Sequence, residues 1–286
     1  MMTGAESHRQ EAVTSRFAPS PTGRLHLGHA FSAIQAHDFA RARGGCFLLR
    51  IEDIDGTRSR AEHVATIVED LAWLGLGWDG EVVFQSARHD AYAAALERLR
   101  GMGLVYPCFC TRGEIAASAS APHGATPAYP GTCRGLAAPD PSRQHCWRLD
   151  MAAAVVRAGP LTWTDHGVEI AAEPLPQGDV VLARKDAPSS YHLAVTMDDA
   201  WQGVTDVVRG RDLFDATHVH RLLQALLGLP TPAYHHHALL AGADGRRLAK
   251  RHGAPTLATL RAGGADGGDI ADDLRAGCLP SGYATS

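Results

Sequence analysis

Residues 16–34 read RFAPSPTGRLHLGHAFSAI. Arg16-Phe17-Ala18-Pro19 reads as a short strand and its exit, and Pro19-Ser-Pro-Thr-Gly23 as a turn. From Leu27 apolar residues return at Ala30, Phe31 and Ile34, the spacing of one helix face, until Gly44-Gly45 closes it. The run Cys46-Phe-Leu-Leu-Arg-Ile51 predicts a buried strand, and Val64, Ile67, Val68 and Leu71 a second helix stopped near Gly75 and Gly77. Val82-Val-Phe84 is strand-like, and Tyr92, Ala95, Leu96 and Leu99 mark a third helix. Strands alternating with helices imply right-handed crossovers and a parallel sheet. Such a sheet binds its ligands beyond the carboxyl ends of its strands, where the 19–30 turn lies.

The chain has 286 residues, 45% hydrophobic and 20% charged, enough for one large domain or one domain carrying insertions. Its net charge of −4 means that any nucleic-acid contact must come from a local basic patch. The candidate contacts are scattered arginines rather than a basic run with interleaved aromatics. Residues 1–14 carry no basic start or apolar core, and no run approaches the roughly 20 apolar residues of a membrane span, so a cytoplasmic protein without a membrane partner is expected. Residues 111–146, rich in Pro, Gly, Ala and Ser and without periodicity, read as an insertion held by something other than a core. Regular structure resumes at Trp147-Arg-Leu149 and Val180-Val-Leu-Ala183, followed by a strong helix with Val219, Leu222, Leu223 and Leu226 on one face.

Three groups of residues carry candidate chemistry. His26 and His29, three apart, would share a helix face as a metal pair, but no nearby Asp, Glu or Cys completes such a site. Gly28 permits close backbone approach, and free N–H groups at a helix start attract phosphate, so imidazoles placed there suit donation to a phosphoryl group. Cys108-x-Cys110 and Cys133 offer three soft ligands beside the coreless segment, which favours a structural metal. The candidates for a fourth ligand are Tyr129, His123, His145 and Cys146, and coordination chemistry alone prefers His or Cys. His235-His-His237 resembles a metal tract, but alternate strand residues point to opposite faces, so the three cannot converge.

Arg16-Phe-Ala-Pro-Ser-Pro-Thr-Gly-x-Leu-His-Leu-Gly-His29, followed by Arg50-Ile-Glu-Asp-x-Asp55 and Arg58-Ser59, resembles the amino end of the class I glutamyl-tRNA synthetases. The resemblance runs from about Arg16 to Pro255. It implies an α/β fold: a Rossmann-like parallel sheet with an inserted zinc-bearing acceptor-type subdomain and a short helical carboxyl-terminal tail. Its boundaries would be a disordered tail at 1–14, catalytic halves at 15–107 and 191–255, the insertion at 108–190 and the tail at 256–286.

The resemblance also implies the site. His26-Leu-Gly-His29 would be the ATP-binding histidine element, with Pro19, Thr22, Gly23 and Gly28 around the nucleotide. Arg247-Leu-Ala-Lys-Arg251 would be the second, lysine-bearing element; it departs at its first lysine and both serines but keeps Lys250, suited to neutralising departing pyrophosphate. His26, His29 and Lys250 would be catalytic. Tyr234-His-His236-His-Ala-Leu239 matches the pattern before that loop and brings His236 toward ATP. Arg16 would face the side-chain carboxylate of glutamate beside Ala18 and Ser20, Glu52 would take the ammonium, and Tyr191 and Arg209 would lie near the α-carboxylate. Cys108, Cys110, Tyr129 and Cys133 match the zinc pattern of the glutamyl-Q branch, with one structural Zn2+.

Only 35 residues follow Arg251, too few for an anticodon-binding domain, which again points to that branch. The implied reaction activates L-glutamate with ATP, Mg2+ assisting, and transfers it to queuosine in the anticodon of tRNA(Asp). The alternatives are a truncated paralog charging a tRNA 3′ end and a non-catalytic RNA- or adenylate-binding module. A monomer is expected.

Overall fold

A computed structural model describes residues 12–111, 113–115, 129–136, 140, 142–242, 255–278 and 283–285. Strand β1 (Thr14–Phe17) pairs in parallel with β2 (Cys46–Ile51), Arg16 opposite Leu48, and β2 pairs in parallel with β3 (Val83–Phe84). Helix α1 (Leu27–Arg41) makes the first crossover and buries Ala30, Ala33, Ile34 and Ala36, while α2 (Ala61–Trp73) makes the second with Ile67 and Leu71 inward. The small residues on α1 let it lie close on the sheet; even Ser15 is buried there, donating to the Ala36 carbonyl at 2.6 Å. Residues 13 and 14, expected within the tail, belong to the sheet region instead: Val13 O accepts from Cys46 N at 2.8 Å and Thr14 is already in β1.

After helix α3 (His89–Gly101) the chain leaves this sheet. Strands β4 (Val105–Cys108), β5 (Cys146–Leu149) and β8 (Val181–Ala183) form a separate antiparallel sheet, with helix α4 (Met151–Ala158) following β5. Between β5 and β8 run β6 (Thr162–Asp165) and β7 (Val168–Ala171), an antiparallel hairpin. Although it falls within the stretch 108–190, this hairpin belongs to another sheet, ordered β7-β6-β10-β9, because Trp163 buries its ring against Val204, Val207 and Tyr234.

Helix α5 (Tyr191–Trp201) leads to β9 (Asp206–Gly210), and α6 (Phe214–Leu227) leads on to β10 (Ala233–His237), parallel to β9. Strand β9 enters beside β1: Thr205 N donates to Thr14 O at 3.0 Å, and Thr14 N to Thr205 Oγ1 at 2.8 Å. The parallel strands therefore run β3-β2-β1, then β9-β10-β6. Chain direction across the sheet reverses between β1 and β9, the position where open α/β sheets leave a crevice.

Beyond β11 (Leu240–Gly242), helices α7 (Leu257–Ala262) and α8 (Gly267–Arg275) fold back onto α1 and α2, and β12 (Tyr283–Thr285) pairs with β11. Leu257, Ala271 and Leu274 join the main core. Gly267 has no side chain for a steric reason, since a Cβ there would stand 2.1 Å from Trp73 O.

A polar network ties α5 to β1, β2 and α3. Asp199 accepts from Arg16 Nε at 2.9 Å and Arg50 Nη1 at 2.8 Å. Asp198 accepts from Gln85, Arg88 Nε and Tyr92 Oη at 2.7–2.9 Å. Arg50 is wholly buried and also donates to Gln202 and, at 3.4 Å, to Glu52. Removing one member of such a group strands the others without compensation, at a cost of about 3–5 kcal/mol. Arg50→Met should therefore lower the thermal midpoint by roughly 10 °C in scanning calorimetry. An unchanged midpoint would show that Arg50 contributes nothing net.

Candidate active site

A cleft of about 410 Å³ opens beyond the carboxyl ends of β1 and β9. Arg16, Ala18, Pro19, Ser20, Thr22 and Gly23 line it along the exit of β1, and His26, Gly28 and His29 at the start of α1. Glu52, Tyr191 and Arg209 close it from β2, α5 and β9. Residues as far apart in the chain as Arg16 and Arg209 thus meet because three strand ends and two helix starts converge at the sheet's reversal. Phe31, Ser32, Val195, Asp212 and His237 also line it without having been expected.

The two histidines build the helix start reciprocally. His26 is the N-cap, its Nδ1 accepting from Gly28 N at 3.1 Å, while His29 Nδ1 accepts from His26 N at 3.2 Å. A Cβ on residue 28 would come 3.1 Å from His26 Cε1, so glycine keeps this arrangement compact. Because both Nδ1 atoms accept, each neutral ring carries its proton on Nε2.

Charge in the cleft is unevenly balanced. Arg16 is only 5% exposed and already ion-paired with Asp199. Burial raises the affinity of Glu52 for a proton, and Arg50 and Arg16 oppose that shift. Asp199 is also buried, yet Arg16 and Arg50 hold its carboxyl below the usual range.

Arg209 differs. Its Nε donates to His236 Nε2 at 3.2 Å, Nη1 to Tyr191 Oη at 3.2 Å and His220 Nδ1 at 3.5 Å, and Nη2 to Leu213 O at 3.1 Å and Thr217 Oγ1 at 2.7 Å. Every one of these acceptors is neutral, so among the described residues a buried guanidinium facing the cleft contacts no carboxylate. Burial together with this charge holds His192 and His236 down at about 4 and His220 well below its ordinary value.

His236 does not line the cleft. Its ring lies behind Arg209, with Nδ1 held 3.0 Å from Asp165 Oδ1, and alternation along β10 presents its neighbour His237 to the cleft instead. The other half of the expected ATP apparatus, Lys250, lies outside the described residues. On either side of that segment, Leu240 lines the cleft and Thr256 bridges to His26.

The cysteines gather elsewhere, at the end of β4 and start of β5. The Sγ atoms of Cys108, Cys110 and Cys133 lie within 4.8 Å of one another, a group that could hold a metal ion. Tyr129 Oη sits 3.5 Å from Cys110 Sγ and accepts from Cys133 N at 2.9 Å. Cys146 sits beside Cys108, its Sγ donating to Cys108 O at 3.6 Å and its thiol meeting that of Cys108, but it does not join the group of three, while His145 bonds Arg143 O; His123 lies outside the described residues. Cys108, Tyr129, Cys133 and Cys146 are the buried members of this region's small core. The sequence of the networks behind the cleft carried one overlooked signal: Asp198-Asp199 within an otherwise apolar stretch of α5.

Comparison with known proteins agrees with this architecture. The family of class I tRNA synthetases (E and Q), catalytic domain, matches residues 12–266. The chain is 50% identical over 272 residues to the glutamyl-Q tRNA(Asp) synthetase of Rhodobacter capsulatus, covering 90% of this chain and 98% of that one. It is 46% identical over 270 residues to the protein of that name from Deinococcus radiodurans, covering 92% and 88%. The crystal structure of a glutamate-tRNA synthetase from Elizabethkingia anophelis superposes with a TM-score of 0.68 at 28% identity over 85% of this chain, which spans about half (53%) of that synthetase. A parallel sheet reversing beside β1, a histidine-capped helix at its ligand end and identity along nearly the whole length place the chain in the class I tRNA synthetase (E and Q) family, among the glutamyl-Q tRNA(Asp) synthetases, as an ATP-dependent ligase-type enzyme.

Proposed function

We propose that the protein activates L-glutamate as glutamyl-adenylate and transfers it to queuosine in the anticodon of tRNA(Asp). The observation that carries this reading is Arg209, a buried cation with neutral partners, facing a cleft that also contains Arg16 and Glu52. Such a site suits an amino acid with two carboxylates and one ammonium. Glu52 takes the ammonium. Arg209, with Tyr191, takes the side-chain carboxylate, because an uncompensated guanidinium binds an inert anion firmly. Arg16, already neutralised by Asp199, is left for the α-carboxylate, which must remain free enough to attack. This exchanges the two carboxylate roles expected from the sequence.

The α-carboxylate oxygen attacks the α-phosphorus of ATP in line and pyrophosphate leaves. The Nε2–H groups of His26 and His29 donate to phosphoryl oxygens as charge grows there, and Lys250 neutralises the departing pyrophosphate. A queuosine hydroxyl then attacks the mixed anhydride, releasing AMP. Positioning and charge stabilisation supply the acceleration, so no covalent enzyme nucleophile enters. Pro19, Thr22, Gly23 and Gly28 shape the nucleotide side, and Ala18 and Ser20 the amino-acid side. We assign the activity to a monomer in the cytoplasm.

The cysteine group fits zinc. Tetrahedral thiolate ligation at 2.3 Å separates sulfur atoms by about 3.8 Å, and Cys110 and Cys133 already stand 3.5 Å apart. Cys108, Cys110 and Cys133 would hold the ion with Tyr129 Oη as fourth ligand, and bound Zn2+ would supply cohesion to a region with little apolar core.

Two measurements check these readings. Labelled glutamate and ATP, offered to tRNA from cells with and without queuosine, should label only the queuosine-containing pool; equal labelling would favour charging of a 3′ end, and no ATP–pyrophosphate exchange would favour a non-catalytic module. Elemental analysis of the purified chain should find about one zinc per molecule, reduced severalfold in Cys110→Ser and retained less tightly against chelator in Tyr129→Phe. Metal-free protein with an unchanged thermal midpoint would contradict the zinc assignment.

A further inference from the structure

On the β4–β5–β8 sheet, residues that are scattered in the sequence meet in one continuous stack. The Arg100 guanidinium lies 4.2 Å over the Trp147 ring, and Trp147 meets His145 edge-on at 4.8 Å. His145 in turn packs 5.5 Å from Phe109, and the Arg143 guanidinium lies 5.0 Å over Phe109. Lys185 adds a third cation, its Nζ donating to the carbonyls of Phe109 and Cys110 at 3.3 and 3.4 Å. The three rings are half-buried and the three cations exposed. A groove of about 560 Å³ runs beside the stack, between Glu97 and Arg100 at the end of α3 and Val105, Pro107 and Trp147 on the sheet.

We propose that this stack is a docking platform for unpaired nucleotides of the RNA substrate, an inference that rests on the function proposed above. Nucleobases offer π-faces of any sequence to aromatic rings and guanidinium planes, and their phosphates need nearby exposed cations. Both requirements are met here within one surface. The local charge departs from that of the chain, which is −4 overall. Three exposed cations face two carboxylates that are already engaged: Glu97 by Arg100, and Glu114 by the backbone and hydroxyl of Thr111. A polyanion with exposed bases complements the surplus positive charge and the stacking planes of this surface, whereas an apolar protein partner would match neither.

The test is direct binding of a fluorescent, queuosine-containing tRNA(Asp) anticodon stem–loop to the full chain, without ATP or glutamate, across a salt series. Arg100→Ala/Arg143→Ala changes two exposed side chains outside the cleft. It should weaken binding about tenfold or more and flatten the dependence of log K on log salt by about 1, with glutamate-dependent ATP–pyrophosphate exchange at the wild-type level. Arg100→Lys/Arg143→Lys should restore the salt slope but not the full affinity, because lysine keeps the charge and loses the stacking plane. Wild-type affinity and slope in the alanine variant would overturn the proposal. So would a parallel loss of exchange and binding, which would locate the effect in the fold. If the wild type binds the stem–loop in this way but transfers no glutamate to it, the proposed reaction fails and the platform stands.

Discussion

Asp199 is a buried carboxylate clamped between Arg16 of β1 and Arg50 of β2, and the cleft depends on that clamp. It fixes α5 against the sheet at the position where β1 and β9 part, and thereby sets where Tyr191 stands at the other end of the same helix. It also decides the electrostatics. By neutralising Arg16 it leaves Arg209 as the cleft guanidinium without a carboxylate contact among the described residues. A single shared carboxylate therefore gives the two cleft arginines different surroundings, Arg16 ion-paired and Arg209 among neutral acceptors, and the proposed division of the substrate's two carboxylates between them rests on that difference.

Behind the cleft the same logic continues through tautomers. A guanidinium offers only N–H donors, so Arg209 Nη1–H makes His220 accept on Nδ1 and donate from Nε2 toward His192 Nδ1, 3.2 Å away. Likewise its Nε–H makes His236 an acceptor on Nε2, leaving Nδ1–H for Asp165. The histidines stay neutral because burial and the adjacent cation disfavour a second charge. At the start of α1 the backbone does what Arg209 does here: the N–H groups of Gly28 and His26 take Nδ1 of His26 and His29, which leaves the proton of each neutral ring on Nε2.

Much of this was legible in the sequence where it follows local rules. The period-3.6 stripe from Leu27, the turn before it and the apolar run at 46–51 locate the parallel sheet and its ligand end. Strand alternation showed that His235, His236 and His237 diverge, but not which one meets the cleft, since that depends on β10 lying between β9 and β6. The tautomers of His26 and His29 were equally hidden, because backbone N–H directions at a helix start set them. Buried charges were the hardest to read. Arg50 and Asp199 are 149 residues apart, and each alone looks like a surface group. The hairpin at 162–171 joined the main sheet through Trp163, a tertiary contact without local signature. The arginines and aromatics near residues 100–147 looked scattered because α3, β4 and β5 bring them together only in space.

The central claim is that Arg209 selects a dicarboxylic amino acid by presenting a buried positive charge to its side chain. It is tested most directly by ATP–pyrophosphate exchange with glutamate and with glutamine, which differ at that carboxylate alone. Glutamate should be preferred by about 10³-fold or more in kcat/KM, since an amide leaves the guanidinium uncompensated, and Arg209→Ala should erase most of that preference. Equal activation of the two amino acids by the wild-type protein would contradict the account.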